Sequence, residues 1–64
     1  MISYEPFYIT IEKKKITQYQ LVNDYLVPAG TIQRIRKNES ITLKSLDHLC
    51  KVLNCSITDI VTII

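Results

Sequence analysis

Glycine and proline are scarce in this 64-residue sequence, which has one glycine and two prolines. This scarcity argues against a turn-rich β-sandwich. A hydrophobic content of 47% with 22% charged residues is typical of a globular rather than a disordered chain. At this length a chain has room for one domain with a small core. We therefore expect an all-α bundle formed by residues 1–64.

Long apolar runs are absent as well. No run reaches the roughly 18 apolar residues that a membrane-spanning helix needs. The first residues, MISYEPFYI, lack the basic region and the long apolar stretch of a secretion signal. We therefore expect a soluble, cytoplasmic protein.

The residues that catalysis or metal binding would need are also missing. Cys50 and Cys55 do not have CxxC spacing, and His48 is the single histidine. Two small, buried, reduced thiols are therefore favoured over a disulfide or a metal site. The sequence has no Ser/His/Asp set, no paired catalytic carboxylates and no glycine-rich phosphate loop. We predict no enzyme activity, metal, cofactor or small-molecule substrate.

Charge is distributed unevenly along the chain. The formal net charge is only +2, but residues 13–37 contain six basic residues against the single acidic residue Asp24. These six are Lys13, Lys14, Lys15, Arg34, Arg36 and Lys37. Such polarisation is expected of a surface that contacts phosphate, although a solvated basic face would give the same pattern. For Lys13, Lys14 and Lys15, a solvated helix end that complements the helix dipole is favoured over a contact with the DNA backbone.

Residues 17–37 have the pattern of two short helices joined by a tight turn. Apolar residues recur at helical spacing on each side of a break at residues 26–28. They are Leu21, Val22, Tyr25, Val27, Ile32 and Ile35. Thr17 and Gln20 form a capping box, which places the start of the first helix at Gln18. Pro28 favours a second helix that begins near it. This is the layout of a DNA-reading helix-turn-helix.

The second of these helices leaves a set of small, amide-bearing and basic residues outside the core pattern. They are Ala29, Gly30, Thr31, Gln33, Arg34, Arg36 and Lys37. Arg34 is the strongest candidate for specificity, because a guanidinium can donate two hydrogen bonds to guanine at a discrimination of about 1–3 kcal/mol. The alternative is a solvated arginine. For Arg36, phosphate and solvent are equally good partners, and Gly30 fits either close backbone approach or simple tolerance.

The remaining segments predict three further helices, five in all. One runs from Glu5 to Lys14, with a strand over residues 8–11 as the alternative and with Phe7, Tyr8 and Ile11 on one face. Another is capped by Thr42 and ended by a left-handed Asn54. Its apolar residues are Leu43, Leu46, Leu49, Cys50 and Leu53. A short helix follows through about Val61, opened by the capping pair Ser56 and Asp59.

The apolar tail, residues 61–64, extends beyond any helix that could bury it. It pairs as a strand with residues 1–4 or contacts a second copy of the chain. Since a single module of this size buries little area on DNA, we predict a two-fold homodimer on a palindromic site. The expected contact is the surface from the fourth helix to the C-terminus.

Three motifs resemble the Cro/repressor-type, or XRE-like, helix-turn-helix family. They are ITQYQL at the second helix, GTIQRIRKNESIT through the third helix and its following loop, and the tail LKSLDHLCKVLNCSITDIV. The resemblance covers nearly the whole chain and is greatest to the compact, single-domain variety. It implies a five-helix, lambda-repressor-like all-α domain whose third helix enters the major groove of double-stranded DNA.

The resemblance also implies roles for individual residues. Ala29, Gly30 and Arg34 match the positions that face base edges, with Gln33 at their margin. The positions that contact the DNA backbone are matched by Gln18, which can also reach a base edge, and by Thr31, Lys37 and Asn38.

Three residues depart from the family pattern. Leu26 stands where the family prefers glycine, and a left-handed leucine costs about 1–2 kcal/mol, so we expect a differently shaped turn. Val22 replaces a common alanine, which predicts slightly wider helix spacing. Lys15 stands where glycine or asparagine is usual.

The sequence therefore predicts a sequence-specific transcriptional regulator that binds double-stranded DNA and represses by occlusion. The alternative is a protein-interaction module of the same fold, antitoxin-like or adaptor, that acts through its apolar C-terminal surface.

Overall fold

The computed structural model describes all residues, 1–64, as four α-helices, a short 3-10 turn and two very short strands. In chain order these are β1 (Ile2–Ser3), α1 (Glu5–Lys13), α2 (Gln18–Asn23), α3 (Ala29–Arg36), α4 (Leu43–Leu53), the 3-10 turn (Ile57–Asp59) and β2 (Thr62–Ile63). None of the helices combines the length and apolar character that crossing a membrane requires.

The prediction of a fifth helix is wrong. The capping pair forms as predicted, because the backbone N–H of Ser56 donates to the Asp59 carboxylate at 3.1 Å. The chain nevertheless makes only one 3-10 turn there. Ile60 is fully buried and leaves the turn at φ −112°, and Thr62 already belongs to β2, so only two residues separate the turn from the strand.

Helix α1 confirms the helical prediction for residues 5–14, one residue shorter, and excludes a strand over residues 8–11. Phe7 and Ile11 are buried, as their spacing of four predicts. The prediction that Tyr8 shares this face is wrong, because its side chain is exposed. Its ring instead packs edge-on against Phe7, with centroids 5.4 Å apart.

The capping box of α2 forms as predicted, and the helix begins at Gln18. The backbone N–H of Gln20 donates to Thr17 Oγ1 at 3.1 Å, and that of Thr17 donates to Gln20 Oε1 at 2.9 Å. Pro28 precedes the first residue of α3 with φ −56°, which also agrees with the prediction. Tyr25 departs from it, because its side chain is exposed rather than inward.

The turn between α2 and α3 takes the left-handed conformation in spite of its leucine. Leu26 has φ 59° and is 78% exposed, so the expectation of a different turn shape is wrong. Val27, the next residue, is buried and donates its N–H to the Leu21 carbonyl at 2.9 Å. Burial of Val27 and this hydrogen bond offset the strain at Leu26.

Three other connections are closed by non-glycine residues with positive φ. Lys15, Asn38 and Asn54 have φ of 57°, 58° and 50°. Asn54 confirms the predicted end of α4, whose start is capped by Thr42 Oγ1, the acceptor of the Ser45 N–H at 3.1 Å. Gly30, the single glycine, has no positive φ and lies within α3.

One core contains residues from all four helices and Ile60, which follows the 3-10 turn. Its buried apolar residues are Tyr4, Phe7, Ile11, Leu21, Val27, Ile32, Ile35, Leu46, Leu49, Leu53 and Ile60. The prediction that Leu43 packs inward with the other apolar residues of α4 is wrong, because this residue is 80% exposed.

The two ends of the chain form an antiparallel pair. Ile2 lies opposite Ile63 and Ser3 opposite Thr62, and the Ile64 N–H donates to the Met1 carbonyl at 2.8 Å. This agrees with strand pairing of the tail. The side chains of Ile63 and Ile64 remain about three-quarters exposed, at 74% and 75%.

The strain at Leu26 predicts that Leu26→Gly stabilises the protein. The exposed leucine side chain contributes little burial, and its left-handed backbone costs about 1–2 kcal/mol, a cost that glycine does not have. Glycine is more flexible in the unfolded state, and this offsets part of the gain. We expect a gain of about 0.5–1 kcal/mol in the free energy of unfolding by urea. The control, Asp24→Gly at φ −96°, should instead lower it. A loss of stability in Leu26→Gly would contradict this account.

Candidate nucleic-acid interface

Helix α3 has one buried side and one exposed side. Thr31, Ile32 and Ile35 are at most 5% exposed and anchor the helix on the core. At 100° per residue the opposite side carries Gln33 near its centre, between Arg36 and Arg34. The exposed residues of α3 and its C-cap are Ala29, Gly30, Gln33, Arg34, Arg36 and Lys37. We call these six residues the outer face of α3.

Gln33 lies where the surface grooves around α3 meet. It borders one groove with Arg36 and Lys37, and a second with Gly30 and Arg34. It also borders the cleft between α2 and α3. No hydrogen bond within the protein engages its amide, which leaves the donor and the acceptor available to a ligand.

Helix α2 contributes the other wall of that cleft. Gln18, Tyr19 and Asn23 line it from α2, and Ala29 and Arg36 line it from α3. Tyr19 is 76% exposed. Asn23 is less available, because its Nδ2 donates to the Tyr19 carbonyl at 2.9 Å. Tyr19 was not predicted at this surface, although its position next to Gln18 at the helix start was a usable signal.

The outer face of α3 is basic, and its cations have no ion-pair partner within the chain. Arg34, Arg36 and Lys37 form no salt bridge; the single one in the protein joins Lys51 Nζ to Asp47 Oδ2 at 3.1 Å on α4. One carboxylate, that of Glu39, borders the groove that contains Arg34 and Lys37. It follows the helix closely and was not predicted at this surface.

The structure brings six of the eight predicted site residues to one surface. They are Gln18, Ala29, Gly30, Gln33, Arg34 and Lys37. Thr31 lies beneath this surface at 5% exposure. Asn38 lies at the end of α3, where its Nδ2 donates to the Ile2 carbonyl at 3.1 Å.

The space around Gly30 is open. A Cβ added there would meet no atom within 4 Å, so nothing inside the protein requires a glycine at this position. The outer face is consequently flat at residues 29 and 30, where the side chains are a methyl group and a hydrogen. A ligand can approach the backbone closely there.

The lysines at the end of α1 lie away from α3. Lys13 and Lys14 border a different groove, together with Thr10, Cys55 and Asp59. The basic residues of the sequence segment 13–37 therefore do not form a single surface patch around α3.

The two thiols lie next to each other at the end of α4. Cys50 and Cys55 are free and half-buried, and burial raises the pKa of both thiols, which favours their protonated form. No group of three or more His, Cys, Asp or Glu side chains is placed to hold a metal ion.

Comparison with known families supplies the identification. Residues 9–64 match the family described as the Cro/C1-type HTH DNA-binding domain. The chain belongs to this family. Among solved structures, the crystal structure of the transcriptional regulator VanUg is similar, with a TM-score of 0.86 at 26% sequence identity. That similarity covers 95% of this chain and 81% of VanUg. Among curated proteins none matches this chain.

For this Cro/C1-type domain, we expect the negative charge of the Glu39 carboxylate to lower the affinity for DNA. Glu39→Gln removes a charge that repels phosphate, and one unit charge about 8 Å away in water is worth roughly a twofold change in affinity. We expect about that gain on any duplex at low salt, measured by fluorescence anisotropy, and a smaller gain at high salt. Glu12→Gln, the same change on α1, is the control. Equal gains in both variants would show that only net charge matters.

Proposed function

We infer that this protein is a sequence-specific transcriptional regulator that inserts α3 into the major groove of double-stranded DNA. The observation that carries this proposal is the uncovered outer face of α3. Its first turn has only small residues, and beyond that turn it carries the free amide of Gln33 and three cations without an ion-pair partner. An α-helix with its side chains is about 10–12 Å across, and the major groove is about 12 Å wide. The structural similarity to VanUg, a transcriptional regulator, supports the same function.

Each residue of the proposed interface has a chemical role. Arg34 donates two hydrogen bonds to guanine O6 and N7, and Gln33 can pair with the N6 and N7 of adenine. Ala29 and Gly30 let the backbone approach the base edges. Lys37 neutralises phosphate. The further backbone contacts are assigned to Gln18, Thr31 and Asn38, with Thr31 the least accessible of them.

Regulation is proposed to be repression. A bound domain occludes the DNA that another protein must reach, and this requires no contact beyond those of the outer face of α3. Residues 1–64 act in this proposal as one DNA-binding unit.

A comparison of Arg34→Ala with Lys37→Ala tests the readout. Arg34 pairs with a base, so its loss should relax preference at one base pair of each half-site in a random-oligonucleotide selection. Lys37 pairs with phosphate, so its loss should weaken all sequences alike and lower the slope of log K against log[salt] by about 0.9. Unchanged base preference in Arg34→Ala would refute its assignment.

The protein is proposed to bind as a two-fold homodimer through its C-terminal surface. Met1, Ile63 and Ile64 expose apolar side chains there, and Leu43 is exposed at the start of α4. One module buries a modest area on DNA, so two modules are needed for useful affinity at physiological salt.

Replacement of a tail side chain tests the dimer. Ile63→Thr keeps a β-branched residue in β2 and removes apolar area twice in a two-fold interface, so self-association should weaken about tenfold or more. Sedimentation velocity over a concentration series measures this. Leu26→Asn is the control, because it removes a similarly exposed apolar side chain from the turn between α2 and α3. Equal self-association of the two variants would contradict the proposed interface.

The same exposed tail favours a second candidate function, a protein-interaction module in which another protein covers Ile63 and Ile64. Salt separates the two functions. Duplex binding weakens steeply as ionic strength rises, whereas an apolar contact responds to substitution in the tail far more than to salt.

A further inference from the structure

The loop after α3 is held in place by the N-terminal segment. The Tyr4 hydroxyl donates to the Glu39 carbonyl at 2.6 Å, and Asn38 Nδ2 donates to the Ile2 carbonyl at 3.1 Å. Both contacts join residues at least 35 positions apart in the chain. They fix the backbone directly after Lys37, the residue to which the proposed function assigns a phosphate contact.

Tyr4 is a rigid anchor for this loop. Its side chain is only 3% exposed within the core, and its carbonyl accepts the Phe7 N–H at 2.9 Å at the start of α1. A short hydrogen bond from a fixed ring restricts the loop more than a bond from a flexible surface side chain would, because little conformational entropy remains to be lost.

The loop has a local turn of its own, which sets its direction. The Glu39 N–H donates to the Arg34 carbonyl at 2.8 Å, and Asn38 takes the left-handed conformation at φ 58°. Residues 38–40 are otherwise exposed, polar and free of core side chains. The contacts from Tyr4 and Ile2 add to these local bonds and tie the loop to the N-terminal segment.

Ile2 and Tyr4 lie before the residues that match the family. The Cro/C1-type match covers residues 9–64, whereas Ile2 and Tyr4 precede it. β2 in turn holds β1, since Ile63 pairs with Ile2. The contact between Ile2 and the loop after α3 therefore depends on the pairing of β1 with β2.

We propose that Tyr4 is a positioning residue for DNA binding, which holds the loop after α3 so that Lys37 meets the phosphate backbone. This inference rests on the proposed function. Tyr4 does not touch DNA; it acts through the Glu39 carbonyl.

Tyr4→Phe is the direct test, since it keeps the ring in the core and removes only the hydroxyl. On the duplex that the wild-type protein selects from random oligonucleotides, affinity should fall by up to roughly fivefold, because the net worth of one hydrogen bond limits what it costs to order the freed loop on binding. The slope of log K against log[salt] should decrease by up to about 0.9, because the phosphate contact of Lys37 is loosened. Tyr8→Phe makes the same change on an exposed ring of α1 and should leave both quantities unchanged.

A double-mutant cycle separates positioning from a general loss of stability. If Tyr4 acts through Lys37, Tyr4→Phe should weaken binding in the wild-type background but not in Lys37→Ala. Measurements at low temperature with the folded fraction determined by circular dichroism keep unfolding out of the comparison. Equal losses in the two backgrounds, or no loss in either, would overturn the proposal.

Asn38→Gly removes the second contact that holds the loop after α3. Glycine accommodates the left-handed backbone and removes the contact to Ile2. Because the asparagine side chain is uncharged, its removal does not by itself alter the slope of log K against log[salt]. A lowered slope would support the step on which the proposal depends, that loosening this loop weakens the phosphate contact of Lys37. An unchanged slope would contradict that step, and unchanged affinity and slope in Tyr4→Phe would overturn the role of Tyr4. Failure of the wild-type protein to bind any duplex at low salt would instead refute the proposed function itself.

Discussion

The burial of one side of α3 is the constraint on which the rest of the structure depends. Ile32 and Ile35 lie in a core to which all the helices contribute, and with Thr31 they fix the rotation of α3 about its own axis. An α-helix with a fixed buried side has a fixed exposed side. Gln33 and Arg34 are therefore presented to solvent by the helix itself, and their exposure follows from the packing of short aliphatic side chains.

The turns before and after α3 each place one residue in the left-handed conformation. Leu26 before the helix and Asn38 after it both have positive φ, a conformation that strains a leucine and that asparagine tolerates. Buried Val27 offsets the strain at Leu26, and the contacts from Tyr4 and Ile2 fix the loop that follows Asn38. Strain of this kind persists only where the neighbouring contacts over-determine the backbone. The outer face of α3 is thus held at both ends by tight turns rather than by flexible loops.

Local signals in the sequence were sufficient to place most of the helices. The caps Thr17 and Thr42 marked the starts of α2 and α4, because a cap acts within one helical turn. Pro28 marked the start of α3 through its fixed φ and its missing N–H. The fifth helix was not predictable in the same way. Its capping pair is present, but burial of Ile60 and the pairing of β2 with β1 cut it to a single 3-10 turn. The contact of Tyr4 with Glu39 spans 35 positions and has no local pattern. The packing of α1 places Lys13 and Lys14 away from α3, although their position at the end of α1 already favoured a solvated helix end.

The most direct test of the central claim is a titration of the ¹⁵N-labelled protein with its selected duplex, followed by amide chemical shifts. Insertion of α3 into the major groove predicts that the largest shifts fall on residues 29–37 and on Gln18 at the start of α2. Residues of the apolar tail should then shift less. Shifts confined to the tail and α4, or no shifts at low salt, would contradict the claim that the outer face of α3 binds DNA.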